Sequence, residues 1–265
     1  MTKDAVLAIL RKENDYISGE HISRLLGVSR AAVNTAVKAL RAEGYEISSS
    51  TNKGYHLDAV PNSISAQELA AYLDESRMQT VECLASVDST NNRLRELALA
   101  GAPNGQVVLA NEQTQGKGRR GRAFASPQDN GIYLSILFHP DTLPTDIVEI
   151  TAWTAVATNN AIEEVCGVRA GIKWVNDLVI DRKKICGILT EMSVESESGY
   201  IQYLIIGIGI NVNGQAEDFP AEIRSTATSL AMETGKTHSR AALAAALIRE
   251  LDSMCQAWPK EKTEY

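Results

Sequence analysis

The chain has 265 residues, of which 44% are hydrophobic and 22% are charged, and its formal net charge is −7. This composition is that of an ordinary globular protein long enough for two domains. The acidic balance excludes a protein that coats nucleic acid nonspecifically. We find no signal peptide and no apolar run near the roughly 20 residues of a membrane helix, so we expect a cytoplasmic protein without membrane contact.

The N-terminal 60 residues predict a winged helix-turn-helix domain. Their helical and strand spacing indicates three helices followed by a hairpin, over residues 4–12, 18–26, 29–40, 45–49 and 54–57. This piece holds eight Lys/Arg against seven Asp/Glu, so it is less acidic than the rest of the chain. Any DNA binding is therefore expected here.

The third predicted helix is the one expected to enter the major groove of DNA. The expected DNA-binding residues project from one side of this helix or from the tip of the wing: Ser29, Arg30, Asn34, Lys38 and Lys53. The alternative is a protein-interaction module with a charged, solvated face. The segment ISRLLGVSRAAVNTAVKALRAEG favours DNA binding, because it resembles helix-turn-helix segments closely.

A linker at residues 59–63 separates this domain, residues 1–60, from a second one predicted over residues 65–265. The second domain is predicted to begin with a helix over residues 65–73 and to continue with strands and helices. The predicted strands are 81–87, 106–111, 131–139, 172–174, 178–180, 184–194 and 200–212, and the predicted helices 91–100, 146–165 and 239–258. Short polar turns between successive strands favour a mixed or antiparallel sheet with helices packed on one face, an α+β fold.

Cysteine and histidine spacing predicts no transition-metal site. The four cysteines form no C-x-x-C pair, and the four histidines are scattered along the chain. We therefore expect reduced, buried thiols.

The most informative segment is a loop that packs four cations and three glycines into seven residues, GKGRRGR at 116–122. Glycine lets the backbone approach a ligand closely, and clustered Arg and Lys supply donors that match phosphate oxygens. The segment lacks the P-loop pattern. A phosphate-bearing ligand is the favoured interpretation, and a flexible solvated loop or a nucleic-acid tract is the alternative.

A second group of polar residues follows, KWVND at 173–177 and then Lys184. Lys184 precedes an apolar strand, so its ammonium is expected beside a pocket. There it would neutralise a substrate carboxylate approaching a phosphate, a repulsion of a few kcal/mol at ~4 Å. Asp177 is a candidate Mg²⁺ ligand. The alternative is a plain turn and a surface cation.

Two further motifs are weaker by themselves. The segment IIGIGINVN at 205–213 places alternating glycines on one face of a buried strand, which leaves room for a ring system, although a β-bulge or tight packing also explains it. DSTN at 88–91 precedes a helix, and helix capping accounts for it as well as ligand binding does.

Taken in order, DSTN, EQTQGKGRRGR, IKWVNDL, KICGIL and IIGIGINVN resemble the biotin–protein ligases over nearly the whole chain. The N-terminal domain resembles that of the bifunctional members, which also repress the biotin operon. The resemblance implies ATP-dependent synthesis of biotinyl-5′-AMP with Mg²⁺, and transfer of biotin to a lysine of a biotin carboxyl carrier domain. It further implies a homodimer on operator DNA that biotinyl-5′-AMP favours as corepressor.

The resemblance also implies site residues. The biotin-binding residues would be Ser89, Thr90, Asn91, Gln113, Lys117, Gly118, Arg119, Lys184, Gly187 and Gly207. The ATP- and adenylate-binding residues would be Arg119, Arg120, Arg122, Phe124, Lys173, Asn176, Asp177, Lys184, Gly209 and Asn211. The catalytic residues would be Lys184, Arg119 and Asp177, and Asp177 would also hold Mg²⁺.

The chain departs from the family pattern at four places. Lys117 replaces an Arg, Val175 a Pro and Phe124 a Trp, and the chain stops at Tyr265, so the small C-terminal β-barrel domain of the family is expected to be missing. One alternative is therefore a repressor that senses the adenylate without efficient transfer. Another is a lipoate ligase, which should lack the basic loop and the DNA-binding domain.

Overall fold

The computed structural model describes residues 2–140, 144–197 and 199–258 of the chain. Contacts divide it into two compact units, Met1–Asn62 and Ser63–Tyr265. Each unit has a hydrophobic core of its own. Of the helices in the described ranges, none combines the length and apolar character that a bilayer crossing needs.

The first unit is the predicted winged helix-turn-helix. Its elements are the helices α1 Thr2–Lys12, α2 Gly19–Leu26 and α3 Arg30–Ala42, and the antiparallel strands β1 Glu46–Ser50 and β2 Gly54–Ala59. The side chains of Ser18 and Ser29 cap α2 and α3 by accepting backbone N–H bonds. Gly27 ends α2 with a φ of 64°, a left-handed conformation that suits glycine. Local sequence signals therefore shape the turn between these two helices.

The second unit contains a seven-stranded mixed sheet in the order β3-β4-β5-β9-β8-β7-β6. Its strands are β3 Val81–Leu84, β4 Val107–Ala110, β5 Gly131–Phe138, β6 Gly171–Lys173, β7 Asp177–Ile180, β8 Lys183–Val194 and β9 Ile201–Asn211. Among these seven strands, β3 and β4 pair in parallel and the remaining pairs are antiparallel. The result is the α+β class that the strand spacing predicted.

Helices cover the two faces of this sheet unequally. The long helices α7 Ile147–Cys166 and α9 Arg240–Ala257 pack on one face, where the main core lies. The shorter helix α6 Thr90–Leu99 packs on the opposite face, where Leu94 contacts a smaller cluster with Leu137 and Ile205. The strand and helix pattern predicted helices on one face, whereas α6 packs on the second face as well. The α6 face is the one that carries the site described below.

Several short elements differ from the prediction. The predicted helix over 65–73 is divided into α4 Ala66–Leu69 and α5 Glu75–Met78, because the side chain of Asp74 accepts a bond from the Arg77 N–H and starts a new helix. Strand β3 ends at Leu84, since its partner strand ends at Ala110. A further helix, α8 Leu230–Thr234, was not predicted.

Candidate functional site

A cavity on the α6 face of the sheet gathers residues from five separate segments of the chain. Its lining comprises Ser89, Thr90, Asn91, Gln113, Lys117, Gly118, Arg119, Phe124, Asn176, Lys184, Gly187, Ile188, Leu189, Gly207, Ile208 and Gly209. All ten of the predicted biotin-binding residues are among them. The predictions that rested on different motifs therefore converge on one place.

The first turn of α6 forms a buried polar wall of this cavity. Ser89, Thr90 and Asn91 are at most 4% exposed. Ser89 stands at the N-cap position, yet its hydroxyl makes no capping bond. The side chain of Asp88 instead accepts bonds from the Ser89 N–H and the Asn92 amide, and the Asn92 bond holds the Asp88 pKa below its usual value. Helix capping alone therefore does not explain the serine in DSTN.

The glycines of β9 leave the space that this wall needs. A Cβ at residue 207 would lie 2.2 Å from Oδ1 of Asn91, and a Cβ at residue 209 would lie 2.4 Å from the Phe124 ring. The register between β8 and β9 is continuous here, with Gly187 opposite Gly209, so no β-bulge accounts for the glycines. They form a flat floor, as expected for a site that takes a ring.

The glycine-rich basic loop folds back on itself over the cavity. The Gly118 N–H donates to the Arg122 carbonyl at 2.7 Å, and the Phe124 N–H donates to the Gly116 carbonyl at 2.9 Å. A Cβ at residue 116 would lie 2.3 Å from the Phe124 carbonyl oxygen, so glycine is required there. Arg120 takes a φ of 57° at the tip of the loop.

Two cations of the loop are held at the cavity. The Lys117 ammonium lies 2.5 Å from Oδ1 of Asn92, and the Arg119 guanidinium donates to Oδ1 of Asn176 at 3.0 Å. A hydrogen-bonded guanidinium keeps further N–H groups for a phosphate, because it carries five donors. The loop therefore presents positive charge to the cavity from a defined position.

Lys184 lines the same cavity as Arg119. Its ammonium lies 2.7 Å from Oδ1 of Asp177 and 5.9 Å from the centre of the Phe124 ring. The side chain is 35% exposed, so a ligand can reach the ammonium. Asn176 bonds to the Asp177 carboxylate at 3.1 Å and to the Ile188 carbonyl at 3.2 Å. Neither a plain turn nor a free surface cation describes this arrangement.

Five predicted nucleotide-binding residues lie outside this lining, one of them Asp177, which contacts the lining through Lys184. Arg120, Arg122 and Lys173 are exposed, and Lys173 belongs to the edge strand β6. The Asn211 amide donates to the Thr228 carbonyl at 3.0 Å, and the residue lines a neighbouring cavity with Asn130 and Tyr133.

Asp177 is the candidate metal ligand of the site. Within residues 2–140, 144–197 and 199–258, no group of three or more His, Cys, Asp or Glu side chains could enclose a metal ion. A single carboxylate fits Mg²⁺ that is held mainly by substrate phosphates and water, as in many nucleotide sites.

Two residues that support the wall were missed by the sequence analysis. Ser135 of β5 is fully buried and lies 2.8 Å from Oγ1 of Thr90 and 2.6 Å from Oδ1 of Asn91. Glu191 of β8 accepts a bond from the Asn91 amide at 2.7 Å. A single hydroxyl within the apolar run GIYLSILF was the signal available for Ser135.

In the first unit, Arg30, Asn34 and Lys38 are exposed on α3. Arg30 and Asn34 line a groove that the wing bounds, and the Asn34 amide donates to the Tyr55 hydroxyl at 3.3 Å. The Ser29 hydroxyl is occupied as the cap of α3. Lys53 places its ammonium 5.8 Å from the centre of the Tyr16 ring. The described surface therefore combines a recognition-type helix with a cation on the wing.

Comparisons with known proteins agree with this geometry. Residues 83–211 match the sequence profile of the biotin/lipoate A/B protein ligase family, and residues 2–56 match that of an HTH domain. The chain is 40% identical to the bifunctional ligase/repressor BirA of Bacillus subtilis over 242 residues, which cover 91% of this chain and 74% of that protein. It is 29% identical to BirA of Escherichia coli over 255 residues, covering 96% and 77% of the two chains.

Among solved structures, the biotin protein ligase from Aquifex aeolicus in complex with biotin and ATP superposes with a TM-score of 0.60 at 30% identity. That match covers 68% of this chain and 72% of the other. A ligase from Leishmania major in complex with biotinyl-5-AMP gives a TM-score of 0.56 at 26% identity, covering 69% and 77% of the two chains. Given the fold, the cavity and these matches, the chain belongs to the biotin/lipoate A/B protein ligase family, among the biotin ligases that carry an N-terminal helix-turn-helix domain.

Proposed function

We propose that this protein joins biotin to a carrier protein with ATP, and that it also binds DNA as a repressor of biotin synthesis. The observation that carries the enzymatic part is the meeting of Arg119 and Lys184 in the lining of one cavity whose buried wall is polar. Two cations at the mouth suit a phosphate and a carboxylate, and the wall suits a neutral polar ring.

In the first step, a biotin carboxylate oxygen attacks the α-phosphorus of ATP, and pyrophosphate leaves. Both reactants are anionic, so the step is slow unless positive charge stands between them. We infer that Lys184 contacts the carboxylate and the α-phosphate, and that Arg119 contacts the phosphate as the loop closes. Fixed charges of this kind stabilise a transition state without reorganising.

Mg²⁺ bound with the phosphates would neutralise part of their charge, and Asp177 is the residue we propose for it. In the described residues, Asp177 already accepts from the Lys184 ammonium and from the Asn176 amide. These bonds orient the carboxylate and the ammonium together, so Asp177 also positions Lys184.

In the second step, the ε-amine of a carrier lysine attacks the carbonyl carbon of the mixed anhydride, and AMP leaves with the bonding electron pair. The amine must be neutral, and it gives up a proton as the amide forms. Transfer to a biotin carboxyl carrier domain is the substrate class that we propose, in line with the ligases to which the chain is similar.

For the repressor part, we propose that biotinyl-5′-AMP favours a homodimer whose two winged helices bind a palindromic operator. Dimeric helix-turn-helix proteins read two half-sites about one helical turn apart. Ordering of the basic loop by the adenylate would lower the entropy cost of forming the dimer. Sedimentation with and without the adenylate measures this coupling, and equal dimerisation constants would contradict it.

We also propose a cytoplasmic location, where ATP and reduced thiols are both present. The four cysteines carry free thiols, and burial raises the pKa of Cys83, Cys186 and Cys255 to about 12 and of Cys166 to about 11. Unpaired thiols are typical of reducing compartments.

One incubation tests the function as a whole. The protein is mixed with ATP, Mg²⁺, biotin and a carrier domain, and mass spectrometry looks for the mass gain of one biotinyl group. Biotinyl-5′-AMP without transfer would support the alternative of an adenylate-sensing repressor. Transfer of lipoate in a parallel reaction, with none of biotin, would support a lipoate ligase and contradict the proposal.

A further inference from the structure

Glu191 lies behind the polar wall of the cavity, on β8, and connects it to α6. One carboxylate oxygen accepts from the Asn91 amide nitrogen at 2.7 Å, and the other accepts from the Arg95 guanidinium at 2.9 Å. Glu191 is partly buried, and it is absent from the cavity lining. Its influence on a ligand therefore passes through Asn91.

The charge of Glu191 determines which end of the Asn91 amide faces the cavity. An ionised carboxylate only accepts hydrogen bonds, so the amide must turn its NH₂ group toward Glu191. The amide oxygen then lies toward Ser135, at 2.6 Å from its hydroxyl, and toward the space above Gly207. The Arg95 ion pair holds the carboxylate in place.

This orientation of the Asn91 amide determines the direction in which the hydroxyl groups of the wall donate. Ser135 has one proton, and it must donate that proton to the Asn91 oxygen, because two acceptors 2.6 Å apart would repel each other. The Thr90 hydroxyl donates to the side-chain oxygen of Gln113 at 3.0 Å. The side-chain oxygen of Gln113 accepts from the Thr90 N–H at 2.9 Å. The hydroxyl protons of Ser135 and Thr90 therefore both have acceptors within the wall.

The consequence is a wall that offers lone pairs to the cavity. The Thr90 hydroxyl and the Asn91 amide both direct their donors away from it, so their oxygens remain to accept from a ligand. The ureido ring of biotin carries two N–H donors, which suit such a wall. A ligand with an acceptor at the same place would leave buried oxygens unpaired, at a cost of about 1–3 kcal/mol each.

We propose that Glu191 is a positioning residue that sets this hydrogen-bond polarity and so makes the cavity specific for a ring with N–H groups. The inference rests on the proposed ligase function and adds to it the residue that selects the ureido group. Glu191 contacts neither the ligand nor the reacting atoms, and Arg95 assists it by holding the carboxylate.

The test compares Glu191→Gln with wild type in biotin-dependent release of pyrophosphate from ATP. A Gln side chain can donate to the Asn91 oxygen, so the amide is free to turn its NH₂ toward the cavity. The expected result is an increase of about tenfold in KM for biotin, with kcat and KM for ATP within about twofold of wild type. A purely structural role would lower kcat or disturb the ATP constant as well.

A substrate analogue gives a second readout. In a cyclic-carbamate analogue of biotin, an oxygen replaces one ureido N–H. In wild type, KM for this analogue should be well above KM for biotin. In Glu191→Gln, most of that difference between the two KM values should disappear. Unchanged KM for biotin and unchanged discrimination in the variant would overturn the inference.

The chain offers a matched control and a rescue. Arg93, also on α6, pairs with Glu82 of β3 at 2.9 Å, away from the cavity, so Glu82→Gln removes the same type of ion pair and should leave both readouts unchanged. In the double variant Asn91→Asp with Glu191→Gln, the new amide at position 191 donates to the new carboxylate at position 91. One donor again faces one acceptor, and position 91 again turns an oxygen toward the cavity. The double variant is expected to return KM for biotin to within about threefold of wild type.

The outcomes separate this inference from the proposed function. If wild type forms no biotinyl-5′-AMP, the ligase function fails. If wild type is active and Glu191→Gln behaves as Glu82→Gln does, only the role of Glu191 fails. If Glu191→Gln does not fold, the double variant Asn91→Asp with Glu191→Gln decides. A KM for biotin well above the wild-type value in that double variant would contradict the inference.

Discussion

The ammonium of Lys184 and the carboxylate of Asp177 lie 2.7 Å apart, although seven positions separate them in the sequence. The hairpin between β7 and β8 produces this contact, since it pairs Asp177 with Gly187 and turns through Asp181 and Arg182. Both turn residues have positive φ, as a two-residue hairpin loop requires. A short, locally encoded turn therefore determines where the cation of the site stands.

Replacing Lys184 tests the charge argument directly. Lys184→Met keeps most of the side-chain volume and removes the ammonium, so synthesis of biotinyl-5′-AMP should fall by about 10²–10³-fold. Pyrophosphate release at saturating ATP and biotin is the measurement. Lys183→Met is the matched control, because Lys183 is an exposed neighbour outside the cavity lining, and it should retain full activity.

Filling the floor of the cavity should block biotin. Gly207→Ala places a Cβ 2.2 Å from the Asn91 oxygen, which Glu191 and Ser135 hold in place. We expect biotin affinity by calorimetry to fall by at least about tenfold and the free energy of unfolding to fall by about 1–3 kcal/mol. Gly171→Ala is the control, since its Cβ would meet only ordinary contacts at 3.6 Å or more.

The exposed cations of α3 should control DNA affinity without affecting ligation. Arg30→Ala with Lys38→Ala removes two positive charges from the helix, so operator affinity should fall and the salt dependence of log K should decrease by about 2. Lys12→Ala is the control, because Lys12 ends α1 outside the groove that the wing bounds. Fluorescence anisotropy at several salt concentrations measures both quantities. An unchanged affinity would remove α3 as the DNA-reading helix.

Replacing the buried Arg240 should lower the stability of the fold. Its side chain is fully buried and donates to the Gly131 carbonyl at 3.0 Å, to Asn111 at 3.1 Å and to Asp129 at 2.5 Å. Arg240→Met leaves the Gly131 carbonyl without this donor and removes the bonds to Asn111 and Asp129, so the free energy of unfolding should fall by about 1–3 kcal/mol. Arg249→Met removes an exposed pair with Glu164 and should cost at most about 1 kcal/mol. Chemical denaturation compares the two variants.

The buried thiol of Cys186 should make the free energy of unfolding depend on pH in the alkaline range. Burial raises the pKa of its thiol from 9.0 to about 12. Between these values the unfolded thiol loses its proton while the folded thiol keeps it, so the unfolded state is favoured increasingly as pH rises. In this range the thiol should lower the free energy of unfolding by up to about 1.4 kcal/mol for each unit by which pH rises.

The measurement is the slope of the unfolding free energy from pH 8 to pH 11, for wild type and for Cys186→Ala. The variant should show the shallower slope whatever its absolute stability. Identical slopes would mean that the thiol is not protected in the folded protein. Alkylation at pH 8.5 gives a second check, since Cys186 should react only after unfolding.

Much of the molecule followed from local chemistry. Serine caps, Gly27 and the spacing of apolar residues are enough to specify the helices of the winged domain, because each acts within a few residues. The glycine-rich basic loop was likewise visible as composition. Its phosphate preference follows from the residue types themselves.

The tertiary structure decided which distant residues meet. Packing of α6 on the sheet brings Glu191 to Asn91 across 100 positions, and the Asn211 amide donates to the Thr228 carbonyl. Local spacing cannot specify these contacts. The alternation of residues along a strand indicates which side chains share a face, but it does not indicate which strand or helix packs beside them. The sequence by itself therefore determined the chemical groups of the site, and the order and register of the sheet decided which of them face the cavity.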